Sequence, residues 1–202
     1  METFWSNRVI HPIVTVVGNG ISRKGLALNS LPGYVIGCNA VHRDYTCPMY
    51  VAADRRMVEE ILRNDRNINS TLFTRKDWAS EYSINAVPDL WYQGTNKADD
   101  QFHWNTGPMA LHLASEIANK EINIIGFDLW ANNNKFNNVY TDTPNYNNSS
   151  ASAISPHLWI HQIKKVFEHY SHINYVQWQR HNWQTPQEWL SIKNLTIKYF
   201  TV

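Results

Sequence analysis

The chain has 202 residues, with 18 Lys+Arg against 17 Asp+Glu, a formal charge of +1, 43% hydrophobic and only 17% charged residues. That length suits one domain by the rule of about 100–200 residues each, and it buries roughly 70% of the unfolded surface without staples. Balanced charge excludes the basic stripe of a nucleic-acid binder. No run of about 18 apolar residues is present to span a membrane, and the start METFWSNRVI lacks the apolar core of a signal peptide. The expectation is a soluble, cytoplasmic protein of a bacterial or virus-infected host cell. Cys38 and Cys47 are too few for a disulfide framework or a four-ligand zinc site.

In chain order, Ile13–Val17 is a β-branched run that stops at Gly18-Asn19-Gly20, as a strand buried on both faces does. Tyr34–Cys38 follows the Leu31-Pro32-Gly33 turn and ends at Asn39. Met49–Ala53 reads as a third strand with a helix over 55–63, and Thr71–Thr74 as a fourth. Thr106 is placed to cap a helix with Pro108 in its first turn and Met109, Ala110, Leu113, Ala114 and Ile117 on one face. Ile122–Ile125 is a further strand ending at Gly126-Phe127-Asp128. Ser155 and Pro156 then open a helix carrying Trp159, Ile160, Ile163, Val166, Phe167 and Tyr170, before a strand over Ile173–Trp178. Residues 192–202 alternate loosely and can add a last strand. Strands alternating with helices predict an α/β domain with a mostly parallel sheet over residues 1–202.

Two segments break the alternation. Residues 83–104, rich in Trp, Tyr and Asp, read as a loop over the sheet edge. Residues 131–152 are dominated by Asn, Ser, Thr and Tyr. A long polar loop after a strand's C-terminal end, where open α/β sheets bind ligands, reads as a substrate lid or as plain disorder.

The Gly18-Asn19-Gly20-Ile21-Ser22 turn lets a backbone approach a ligand, and amides beyond such a turn favour an anion. A dinucleotide site requires an acid about twenty residues on, but Cys38-Asn39 stands there, which argues against NAD. No Walker-type lysine motif is present. Histidines and carboxylates show no zinc spacing. Trp178, Trp183 and Trp189 suit a core edge better than a sugar platform, and His112 reads as structural.

Taken together, Gly18-Asn19-Gly20-Ile21-Ser22, Cys38-Asn39, Asn105-Thr106-Gly107 and Gly126-Phe127-Asp128 resemble, in order, the motifs of the bacterial lipooligosaccharide sialyltransferases and the related motility-accessory-factor-like proteins. The resemblance covers residues 13–178. It implies a single Rossmann-like domain and a glycosyltransferase that takes a sugar from a CMP-linked donor to a glycan acceptor hydroxyl. No metal or other cofactor is implied, and a homo-oligomer is compatible with it. Asn19, Gly20, Asn39, Thr106 and Gly107 match nucleotide contacts of the family. Gly18, Ser22 and Asp128 belong to the same motifs, and Asp54 falls near a further family contact. Trp130 stands where a family tyrosine would, Tyr140 or Tyr146 can replace its companion, and His103 corresponds roughly to a family arginine. The resemblance makes His157 the base and Tyr140 a second catalytic candidate. A first-turn histidine also lies at the positive end of the helix dipole, which favours an uncharged ring able to take a proton. Hydrolysis of a CMP-sugar and a non-catalytic nucleotide- or sugar-binding protein are the alternatives.

Overall fold

The computed structural model describes residues 4–64, 69–131 and 134–200. Within them, eight strands form one all-parallel sheet: β1 His11–Val17, β2 Tyr34–Cys38, β3 Met49–Val51, β4 Thr71–Thr74, β5 Asn85–Ala86, β6 Ala118–Ile125, β7 Asn174–Gln179 and β8 Leu195–Tyr199. Four helices flank it: α1 Arg55–Leu62, α2 Lys76–Tyr82, α3 Thr106–Ile117 and α4 His157–His169. The strand order is β5-β4-β3-β2-β1-β6-β7-β8, a Rossmann-like arrangement.

Side chains alternate along each strand, so every central strand feeds two cores. Val14, Val16, Ile36, Met49, Val51, Ile122 and Ile124 pack beneath α3 and α4, with Met109, Leu113, Ile163 and Phe167 in the same cluster. Val17, Val35, Tyr50 and Leu72 fill the other face with Met57, Val58 and Ile61 of α1. Burial on both faces explains why these strands read as unbroken apolar runs. Trp189 lies in the core, and its indole nitrogen donates to the Ile160 carbonyl at 3.0 Å. Trp178 donates to Asn123 Oδ1 at 2.8 Å, and Trp183, which lines a small cavity, to the Asp128 carbonyl at 2.6 Å.

The chain runs outward from β1 to β5 and then crosses back to β6 beside β1. The pairs Val16↔Ile124 and Val17↔Ile125 bring both strands to their C-terminal ends side by side. This is the topological switch point, where loops leave in opposite directions and a crevice opens. Among the described residues, no helix is long and apolar enough to cross a membrane.

Sequence reading did not find α2 or β5. Helix α2 (KDWASEY) buries only Ala79, and β5 is two residues long, so neither carries a periodic signal. The segment expected as an edge loop holds β5 and two 3₁₀ turns, Lys97–Asp99 and Gln101–His103.

Candidate functional site

A cleft of about 500 Å³ lies over the C-terminal ends of β1, β2, β3 and β6 and the start of α3. Its lining includes Gly18, Asn19, Gly20, Asn39, Asp54, Thr106, Gly107, Asp128 and Trp130. Residues picked from well-separated sequence motifs thus meet at one place. Phe102, Trp104, Phe136, Asn137 and Trp159 also line it and were not selected as site residues from sequence; His103, which the resemblance set against a family arginine, lines it too. They sit on irregular segments or, for Trp159, on a helix face that reads as core.

The β1 and β6 turns are pressed together. Gly18 N donates to the Ile125 carbonyl at 2.7 Å and Gly20 N to the Gly126 carbonyl at 2.8 Å. A Cβ on Gly18 would lie 2.5 Å from Gly126 O and 2.8 Å from the Phe127 ring. The amides beyond the turn are occupied as well. Ser22 N donates to Asp128 Oδ2 at 2.9 Å, the Ser22 hydroxyl donates to Asp128 Oδ1, and Ile21 N donates to Asn137 Oδ1 at 3.0 Å. The anion expected there is therefore the protein's own Asp128 carboxylate, whose pKa burial pushes above the usual carboxylate range. Asp128 lines the cleft with both oxygens already engaged by Ser22. Ser22 is buried behind it and faces a smaller adjoining cavity of about 260 Å³. These bonds tie the β1 turn to the β6 turn.

A second tie joins β2, β3 and α3. Ala53 N donates to Thr106 Oγ1 at 3.0 Å, and that hydroxyl donates to Asn39 Oδ1 at 3.0 Å. Thr106 is the first helical residue, not the expected cap; Asn105 holds the cap position and engages Gln162 Oε1 through its backbone N and its side-chain amide. Asn39 adopts φ 49°, a left-handed conformation that Asn tolerates better than most residues. Leu129 at φ 60° is a costlier occupant of that region, and such strain concentrates at functional sites.

Asn19 carries the strongest sign of a missing partner. It is 8% exposed, and its Nδ2 donates to Tyr146 Oη at 2.9 Å. Its Oδ1 is buried without a hydrogen-bond partner among the described residues. An unpaired buried carbonyl costs about 1–3 kcal/mol, and this one belongs to a cleft-lining side chain. Aromatic faces surround the same opening: Phe102 and Trp130 remain 51% and 37% exposed, and the Trp130 indole is steadied by a 2.7 Å bond to the Gln184 carbonyl.

The expected lid is held to the body; its residues 132 and 133 lie outside the described residues. Val139 N donates to the Asn19 carbonyl at 2.8 Å. Arg43 grips Glu60 at 2.5 and 2.7 Å, Thr143 Oγ1 at 2.7 Å and the Pro144 carbonyl at 2.8 Å. Its guanidinium also faces the Tyr140 and Tyr146 rings at 5.4 and 5.6 Å. The segment is therefore not a structureless loop, because charged groups outside it supply the order its own composition cannot.

Two predicted catalytic residues fall outside the cleft lining. Tyr140 is buried, its hydroxyl donating to Asp44 Oδ2 at 2.7 Å and accepting from Arg23 Nη2 at 2.7 Å. It acts as a clamp between the lid segment and the β1 and β2 turns. His157 is the exposed first residue of α4, between the cleft residues Ile154 and Trp159 but not itself in the lining. Cys38 lines the cleft, but burial pushes its thiol above the ordinary range, which disfavours the thiolate form. Among the described residues, no cluster of three or more His, Cys, Asp or Glu could hold a metal ion.

Comparison of the chain with protein-family models, with curated proteins and with solved structures finds no match.

Proposed function

We propose that this protein is a glycosyltransferase of sialyltransferase-like type, moving a sugar from a CMP-linked donor to an acceptor hydroxyl without a metal. The observation that carries the reading is the unpaired Oδ1 of Asn19, a residue lining a cleft otherwise built from Asn39, Thr106, Gly107 and aromatic faces. A neutral acceptor of that kind suits a hydroxyl or amino group of a nucleoside. The end of β2 presents the Asn39 amide where a nicotinamide site would present a carboxylate. Because Asp128 fills the amide cradle after β1, the donor phosphate is assigned to the first turn of α3. The N–H groups of Thr106 and Gly107, which precede the first intrahelical bond, and the helix dipole attract negative charge there.

A second reading, a nucleotide-binding protein without catalysis, is favoured by two particulars. Trp130 replaces a tyrosine of the resembled family, and the Tyr140 hydroxyl is engaged by Asp44 and Arg23. Incubation with CMP-linked sugars, with and without glycan acceptors, separates the two. Release of CMP supports the transferase, and tight CMP binding with no release supports the binding protein. Hydrolysis without an acceptor would make the activity that of a CMP-sugar hydrolase.

A further inference from the structure

We propose that His103, held by Asp100, is the general base of this site; the proposal rests on the transferase reading. Among the described residues, which hold all nine histidines, His103 alone of them lines the cleft. His42, His103 and His161 pair with carboxylates, but His42 is buried away from the cleft lining and His161 also lies outside it.

The pair has the construction a base requires. His103 Nδ1 lies 3.0 Å from Asp100 Oδ2, while Asp100 Oδ1 accepts from Phe102 N at 2.9 Å. A carboxylate bonded to Nδ1–H fixes the tautomer that leaves the Nε2 lone pair available. Nε2 has no protein partner among the described residues. The turn beneath is pinned from two sides: Arg75 Nη1 donates to the Phe102 carbonyl at 3.1 Å and Gln162 Nε2 to the His103 carbonyl at 3.1 Å. His103 therefore lines the same cleft as Thr106 and Gly107 of the first turn of α3. Of the cleft carboxylates, Asp128 has both oxygens engaged by Ser22. Asp54, at the cap position of α1, is the rival base.

In the step assigned to it, the acceptor hydroxyl oxygen bonds to the anomeric carbon of the sugar. The bond from that carbon to the CMP phosphate oxygen breaks, and CMP leaves with its electron pair. The hydroxyl proton passes to His103 Nε2, and the imidazolium is stabilised by the Asp100 carboxylate until it loses the proton to solvent. Water can replace the sugar hydroxyl in the same geometry.

The test measures CMP release from a CMP-linked sugar by wild type, His103→Ala, Asp100→Asn, Asp54→Asn and His157→Ala, with CMP affinity measured on each. His103→Ala should lower kcat by roughly 10²–10⁴, keep CMP affinity within a few-fold, and recover turnover on addition of imidazole. Asp100→Asn should lower kcat less, with KM little changed, and should shift the His103 ring away from the Nδ1–H tautomer in nitrogen NMR. A loss of that size in His157→Ala or Asp54→Asn, with His103→Ala near wild type, overturns the assignment and leaves the transferase reading standing. Wild-type protein that binds CMP but releases none from any CMP-sugar overturns both.

Discussion

Gly20 is excluded from carrying a side chain by Asp128: a Cβ at position 20 would lie 2.4 Å from the Asp128 carboxylate carbon. Its φ of −64° is open to any residue, so the requirement is space and not conformation. A strand–glycine–helix signal that usually announces a ligand phosphate here announces contact between the protein's own β1 and β6 turns. Gly20→Ala should therefore destabilise the fold by about 1–3 kcal/mol through overpacking. The check is the urea midpoint at constant m-value; an unchanged midpoint would mean that the Asp128 side chain moves away freely.

Arg43 holds the 139–146 segment through Thr143, Pro144 and the rings of Tyr140 and Tyr146. It is partly exposed, so solvent screening reduces the worth of its pairing with Glu60. Arg43→Ala should cost about 1–3 kcal/mol, with the loss concentrated in this segment. Hydrogen exchange over residues 139–146 should speed up at least tenfold while β1 and β6 stay protected. Uniform acceleration would show that the segment opens only with the whole molecule.

His112 gives the fold an acid-sensitive point. It is buried, with Tyr170 Oη at 2.9 Å from Nδ1 and the Asp89 carbonyl at 3.2 Å from Nε2. Burial lowers its pKa from 6.5 to about 4. A depressed histidine contributes stability that is present above pH 6.5 and is lost as pH falls toward 4. At about 1.4 kcal/mol per pK unit the loss approaches 3 kcal/mol. Burial lowers His11 and His169 in the same direction, so the contribution is read by difference. Urea unfolding at pH 7 and pH 4 should show a smaller drop for His112→Gln than for wild type; equal drops would assign the sensitivity elsewhere.

The sheet was legible in sequence because its strands are buried on both faces. Val14, Val16 and Val17 are fully buried, so the run could not be a half-exposed strand. Helices α3 and α4 were legible through their apolar stripes. Helix α2, held by contacts such as Arg75 with Asp77, showed no stripe. The cleft was legible only where motifs have fixed spacing, as at Gly18–Gly20, Asn39 and Thr106–Gly107. Phe102 and His103 lie on a 3₁₀ turn whose position depends on Arg75, 27 residues from Phe102, and on Gln162, 59 residues from His103; the resemblance marked His103 as the counterpart of a family arginine, but no local pattern places that turn at the cleft. His157 was legible as a helix start, but a helix start does not determine which residue of its turn reaches the cleft.

The central claim, a cleft for a cytidine nucleotide, is tested most directly by calorimetric titration of CMP, UDP and NAD into wild-type protein and Asn19→Ala. Asn39 in place of an acidic ribose ligand and the unpaired Asn19 Oδ1 predict that CMP binds most tightly. They further predict that Asn19→Ala weakens CMP binding about tenfold, equivalent to about 1.4 kcal/mol. Tighter binding of NAD than of CMP, or CMP affinity indifferent to Asn19, would contradict the account.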